Sequence, residues 1–85
     1  MPKSVTVYST TSCPYCKLEK QWLDKNKIKY NNIFIDEDDA AAEIMIKKSG
    51  QMGVPVTEII SEKGRPQVII GFDKPKLAEL LGIKE

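Results

Sequence analysis

Apolar positions along this chain follow two rhythms, one near two residues and one near 3.6, and the switches between them outline its elements. Val5-Thr6-Val7-Tyr8 is β-branched and aromatic and predicts a first strand, with Ser9 to Ser12 as polar loop and capping material. Leu18, Trp22 and Leu23 then give a helix its apolar stripe, while Lys17, Glu19, Lys20, Asp24 and Lys25 cover the other surface and Asn26-Lys27 carries the exit. Lys29 to Ile35 reads as a second strand centred on Ile33, Phe34 and Ile35. Asp36-Glu37-Asp38-Asp39 heads a second helix, where carboxylates accept free amides and face the positive end of the helix dipole. A cation or partner site is the alternative reading of that acidic run. Ala40, Ala41, Ile44, Met45 and Lys48 continue the helical pattern, with Met45 as core filling.

Gly50-Gln51-Met52-Gly53 breaks the second helix, and Val54-Pro55 leads into a third strand from Val56 to Ile60. A compact turn, Ser61-Glu62-Lys63-Gly64-Arg65, separates it from a fourth strand, Gln67-Val68-Ile69-Ile70, and so short a connection predicts an antiparallel hairpin. Asp73 caps a final helix with Leu77, Leu80, Leu81 and Ile83 on one side. The order is β-α-β-α-β-β-α. The first two strands, joined by a helix of crossover length, should be parallel and right-handed in their connection, with helices covering the sheet of an α/β protein. Neither an internal repeat nor a linker divides the chain, so a single domain over residues 1–85 is expected.

Charge narrows the classes of function. Thirteen basic and twelve acidic side chains leave a formal charge of +1 without a long basic tract, which gives no support to a nucleic-acid scaffold or a polybasic membrane anchor. No apolar run is long enough for a secretory segment or a membrane span, so the expected location is the cytoplasm, where a surface cysteine pair cycles rather than staying locked. A monomer is the default, since the pattern leaves no long apolar face unused.

Both cysteines fall in Ser12-Cys13-Pro14-Tyr15-Cys16, at the junction of the first strand and first helix. A closed zinc site needs four ligands, and the chain has no histidine and no third cysteine, so one chain cannot complete such a site from these residue types. As a staple the pair would close too short a loop to matter much. Thiol–disulfide exchange is the leading reading. Cys13 sits at or just before the helix N-terminus, where free amides and the dipole favour a thiolate, and Pro14 occupies a first-turn position that needs no amide proton. Lys17, one turn on, either adds to that field or simply faces solvent. Cys16 lies further inside the turn. Cys13 is therefore read as the nucleophile that forms a mixed disulfide and Cys16 as the resolver that attacks Cys13 Sγ and releases the substrate. Pro55 is either a rigid strand entrance or a cis residue that turns the backbone toward Cys13.

Cys13-Pro14-Tyr15-Cys16 after the first strand, then Gly53-Val54-Pro55, then Gly71-Phe72-Asp73, resembles the glutaredoxins and glutaredoxin-like redoxins of the thioredoxin-like superfamily from end to end. The tetrapeptide is a specific signal; the other two are weak alone but correctly spaced. The resemblance implies a four-stranded mixed sheet of order 2-1-3-4 flanked by three helices, with the third strand antiparallel to the first. It implies reduction of protein disulfides and glutathione mixed disulfides, with glutathione as co-substrate and no tightly bound cofactor. It also implies a cis Pro55, a Val54 backbone that pairs with substrate, and Gly71 to Asp73 at the γ-glutamyl end of glutathione. Tyr15, Val54, Pro55, Gly71, Phe72 and Asp73 are thus the expected contacts to glutathione or substrate peptide.

Three positions depart from the glutathione-using pattern. Thr10 stands where those members commonly carry Lys or Arg, Gly53 where they commonly have Thr, and Lys74 where a second acidic residue is frequent. A redoxin fed by thioredoxin reductase, such as those serving ribonucleotide reductase, is accordingly an alternative, although such relatives usually have other residues between their cysteines. A [2Fe-2S] carrier, with the cluster held between two subunits and two glutathiones, is a third. Thioredoxin itself fits worse, having Gly-Pro between its cysteines and a buried aspartate where this chain has Val7.

Overall fold

The computed structural model describes residues 4–62 and 64–83. Its elements run β1 (Ser4–Ser9), α1 (Pro14–Lys25), β2 (Asn31–Phe34), α2 (Asp39–Ser49), β3 (Val56–Ile60), β4 (Pro66–Ile70) and α3 (Lys74–Leu81), the order expected from the patterning. The sheet order is β2-β1-β3-β4. β1 is parallel to β2 and antiparallel to β3, and β3 and β4 form the antiparallel hairpin. Lys63, expected in the turn between β3 and β4, lies outside the described residues.

Strand alternation sends side chains to two cores. Val5, Val7, Ile59 and Ile69 pack with Trp22 and Leu23 of α1 and Leu77 and Leu81 of α3 on one face. Tyr8 and Val56 pack with Met45 of α2 on the other. Burying one such aliphatic side chain contributes about 1.5–3 kcal/mol, so these two layers fix the helices against the sheet. Trp22 belongs to the first layer, its ring edge-on to Phe72 at a centroid distance of 5.8 Å.

The buried face of α1 differs from the expected stripe. Leu18 is 49 % exposed, whereas Cys16, Glu19, Trp22 and Leu23 are buried. Steps of three and four from Cys16 reach Glu19 and Leu23, so a carboxyl side chain occupies a core position that a leucine was expected to fill. On α2 the buried positions are Ala41 and Met45, and Ile44 is largely exposed.

Caps account for the helix boundaries. Asp38 accepts from the Ala41 amide at 3.1 Å to start α2, and Asp73 accepts from the Lys76 amide at 3.3 Å to start α3. Gly50 ends α2 with φ of 74°, in the left-handed region that glycine tolerates at a helix end.

Candidate active site

Cys13 is the N-cap of α1, and its sulfur does what a serine or aspartate oxygen does elsewhere: Sγ accepts from the Cys16 amide at 3.1 Å. Its carbonyl accepts from the Lys17 amide at 3.2 Å, so the helix begins directly behind it. An amide aimed at the sulfur and the positive helix end both favour negative charge there. Cys13 and Cys16 form a disulfide with Cα atoms 5.2 Å apart, within the normal range for such bridges. Cys13 is half-buried, while Cys16 is fully buried.

Sheet register brings three chain segments to the same end as the cysteines. Tyr8 pairs with Val56, so the residues that precede β3 lie beside the loop between β1 and α1. Val56 pairs in turn with Ile70, and the Gly71 amide donates to the Pro55 carbonyl at 2.7 Å. The Val54–Pro55 peptide is cis. Gly71 has φ of 79°, so the turn out of β4 toward Phe72 and Asp73 calls for a residue without a Cβ. Val54, Pro55, Gly71 and Phe72 thus adjoin one another, with Asp73 occupied as the α3 cap and Tyr15 projecting to solvent from the first turn of α1, 66 % exposed.

Two side chains outside the expected set hold the loops of this end in place. Asp36 accepts from both the amide and the hydroxyl of Thr11, the hydroxyl contact being 2.6 Å, and the Thr11 hydroxyl bond holds its carboxyl below the usual carboxylate range. The acidic run therefore divides its labour, with Asp36 tying down the loop before Cys13 and Asp38 capping α2. Among the described residues no group of three or more His, Cys, Asp or Glu side chains is placed to hold a metal ion. Gln51 clamps Gly53, its Oε1 accepting from the Gly53 amide at 2.6 Å and its Nε2 donating to the Gly53 carbonyl at 2.9 Å. A Cβ on Gly53 would stand 2.7 Å from that Oε1, so the missing side chain and the clamp go together.

Glu19 is the residue the patterning placed on the wrong side of α1. It is fully buried one turn beyond Cys16, and the Thr57 hydroxyl of β3 donates to its Oε2 in a short contact. Among the described residues Oε1 has no hydrogen-bond partner. Burial pushes its carboxyl up to about 7, against the downward pull of the Thr57 hydrogen bond. The signal that reveals it is the step of three from Cys16, which puts any residue at that position on the cysteine's face of the helix.

A family profile described as Glutaredoxin matches residues 5–63. The chain belongs to the glutaredoxin family. It is similar to an uncharacterised glutaredoxin-like 8.6 kDa protein in the rubredoxin operon of Clostridium pasteurianum, 32 % identical over 91 % of this chain and 96 % of that one. It is also similar to the glutaredoxin-like protein NrdH of Lactococcus lactis subsp. cremoris, 36 % identical over 89 % of this chain and 97 % of that one. The crystal structure of a buckwheat glutaredoxin–glutathione complex superposes with a TM-score of 0.69 at 28 % identity, over 93 % of this chain and 70 % of the plant protein. As a glutaredoxin-type enzyme the chain is a dithiol–disulfide oxidoreductase that works through Cys13 and Cys16. No helix of the described residues is long and apolar enough to cross a membrane.

Proposed function

We infer that the chain reduces protein disulfides and glutathione mixed disulfides, with Cys13 as the attacking thiolate, Cys16 as the resolver and glutathione as the source of electrons. The observation that carries the reading is the contrast within the pair: a half-buried sulfur that caps α1 beside a cysteine with no exposed surface. Only the former can be approached in line by a bulky substrate disulfide. Once the mixed disulfide forms on Cys13, the substrate's other sulfur leaves as a thiolate; Cys16 then displaces the bound half and closes the Cys13–Cys16 bridge. Substrate contacts fall to Tyr15, to the Val54–Pro55 segment and to the Gly71-Phe72-Asp73 turn that adjoins it. That a similar structure, the buckwheat glutaredoxin, is a glutathione complex supports glutathione as the ligand class.

A second reading, electrons from thioredoxin reductase, is favoured by one feature of this chain. Where glutathione-using members resemble each other in Thr-Val-Pro, Gly53 has its amide and carbonyl engaged by Gln51. A reoxidation assay supplied with NADPH and either glutathione plus glutathione reductase or thioredoxin reductase separates the two. Turnover with the glutathione couple is the expected result, and turnover with thioredoxin reductase alone would replace it with the second reading.

A further inference from the structure

A buried carboxyl with an idle oxygen needs a reason, because leaving a polar atom unpaired in a core is costly, and a charged one more so. Glu19 is such a group. It shares the inward face of α1 with Cys16, one turn away, and both side chains have no exposed surface. Thr57 satisfies Oε2 and holds the carboxyl in place, and Oε1 is left without a partner among the described residues. The core in which α1 packs is apolar, with Val5 and Val7 of β1, Ile59 of β3, Ile69 of β4 and Leu77 of α3 clustered against Trp22 and Leu23. Tyr30, beside Asp24 at the far end of α1, is a titratable side chain packed against the same cluster, while Glu58 and its partner Lys48 lie on the opposite sheet face.

We propose that Glu19 is the proton acceptor for Cys16: it takes the Cys16 thiol proton on Oε1, directly or through one water, as Cys16 attacks Cys13, and returns it when the bridge is reduced. In the forward step the carboxylate becomes a carboxylic acid and the Cys16 thiol a thiolate. The new S–S bond to Cys13 forms as the bond from Cys13 to the substrate sulfur breaks, and the substrate leaves as a thiolate. In the reverse step an incoming thiolate displaces Cys16, whose sulfur takes the proton back from Glu19. A buried thiol has no solvent to receive its proton and its ionisation is held back by the apolar surroundings, so a proton acceptor inside the protein removes the obstacle. A carboxyl pushed up to about 7 populates both of its protonation states near neutral pH, which suits a group that must give and take.

The proposal rests on Cys16 being the resolver, and one experiment keeps the two apart. Reaction of the reduced protein with excess dithiobis(nitrobenzoate) releases one thionitrobenzoate when Cys13 attacks and a second when Cys16 resolves the adduct, so the first phase serves as internal reference for the second. In Glu19→Gln the second phase should slow at least tenfold relative to the first at pH 7, the lower end of general acid–base effects being about 10²-fold, and its inflection near neutral pH should vanish. An unchanged ratio and inflection would overturn the role of Glu19. Loss of the first release in Cys16→Ser, which keeps Cys13 as its one thiol, would instead remove Cys13 as the attacking thiol and with it Cys16 as resolver. The unmodified protein gives an independent reading by carboxyl ¹³C NMR: the Glu19 titration midpoint should differ between the oxidised and reduced forms, because the reduced form places a titrating thiol beside it. Identical midpoints would contradict the proposal.

Discussion

The Thr57 hydroxyl of β3 and the Glu19 carboxyl of α1 meet in the core, 38 positions apart in the chain, and this contact supplies the only hydrogen bond found for that carboxyl among the described residues. It holds a group that burial drives toward neutrality and lowers its pKa from what burial alone would impose.

Stability of the oxidised protein should therefore fall as pH rises from 4.5 to about 7. The carboxyl is raised from its ordinary 4.5 to about 7 in the folded state, so between those values the folded chain keeps a proton that the unfolded chain has lost. Below 4.5 both states hold the proton and nothing is lost; above 7 the full cost remains, on the order of 3 kcal/mol. The chain has no histidine to add a competing slope in this window. Urea midpoints at pH 5 and pH 8 should differ in that sense for the parent protein and converge for Glu19→Gln.

Thr57→Val removes the bond that pulls the Glu19 midpoint down, so the carboxyl should titrate at a higher pH than in the parent protein. Carboxyl ¹³C NMR of the oxidised form measures it directly. An unmoved midpoint would mean that the hydroxyl does not govern this group.

Much of the architecture was legible because local patterns and tertiary demands agree. β-branched strands, the acidic run from Asp36 to Asp39, the Asp73 cap and glycine breaks each pointed to the element that formed. The cysteine pair was legible from its spacing at a strand–helix junction, whereas the cis Val54–Pro55 peptide came from the family resemblance and not from local patterning. Glu19 was not legible, because Leu18 and Glu19 compete for the inward face of α1 beside Trp22 and Leu23, and hydrophobicity favours the wrong one. Choosing correctly required the long-range fact that Thr57 lies opposite with a hydroxyl to donate. Asp36 and Gln51 were missed in the same way, since each acts through a backbone group brought near by folding, Thr11 in one case and Gly53 in the other.

Asp36→Ala should release the loop that precedes Cys13. Amide exchange at Thr11 should accelerate several-fold, as its amide loses both the acceptor and the restraint of the hydroxyl contact. Two-dimensional NMR exchange rates, with the α1 interior amides as reference, check this.

Trp22→Ala should destabilise the fold by about 3–5 kcal/mol, because it empties a core site and removes the edge-on partner of Phe72. The Phe72 ring stands next to Gly71, so disulfide reduction should weaken with it. Denaturant titration gives the first effect and an insulin-reduction assay the second.

Lys74→Asp should lower the apparent KM for glutathione several-fold if the γ-glutamyl end lies at the Gly71-Phe72-Asp73 turn, because Lys74 follows that turn directly and carries the charge of the glutathione ammonium. The added carboxylate in the first turn of α3 should also stabilise the helix by about 0.3–1 kcal/mol, which separates a folding effect from a binding one.

The division of roles within the cysteine pair is tested most directly by limiting alkylation. Reduced protein treated with substoichiometric iodoacetamide at pH 6 and mapped by peptide mass spectrometry should carry its label on Cys13, the half-buried cap of α1, with Cys16 unmodified. A label found first on Cys16 would contradict the assignment of Cys13 as the attacking thiolate.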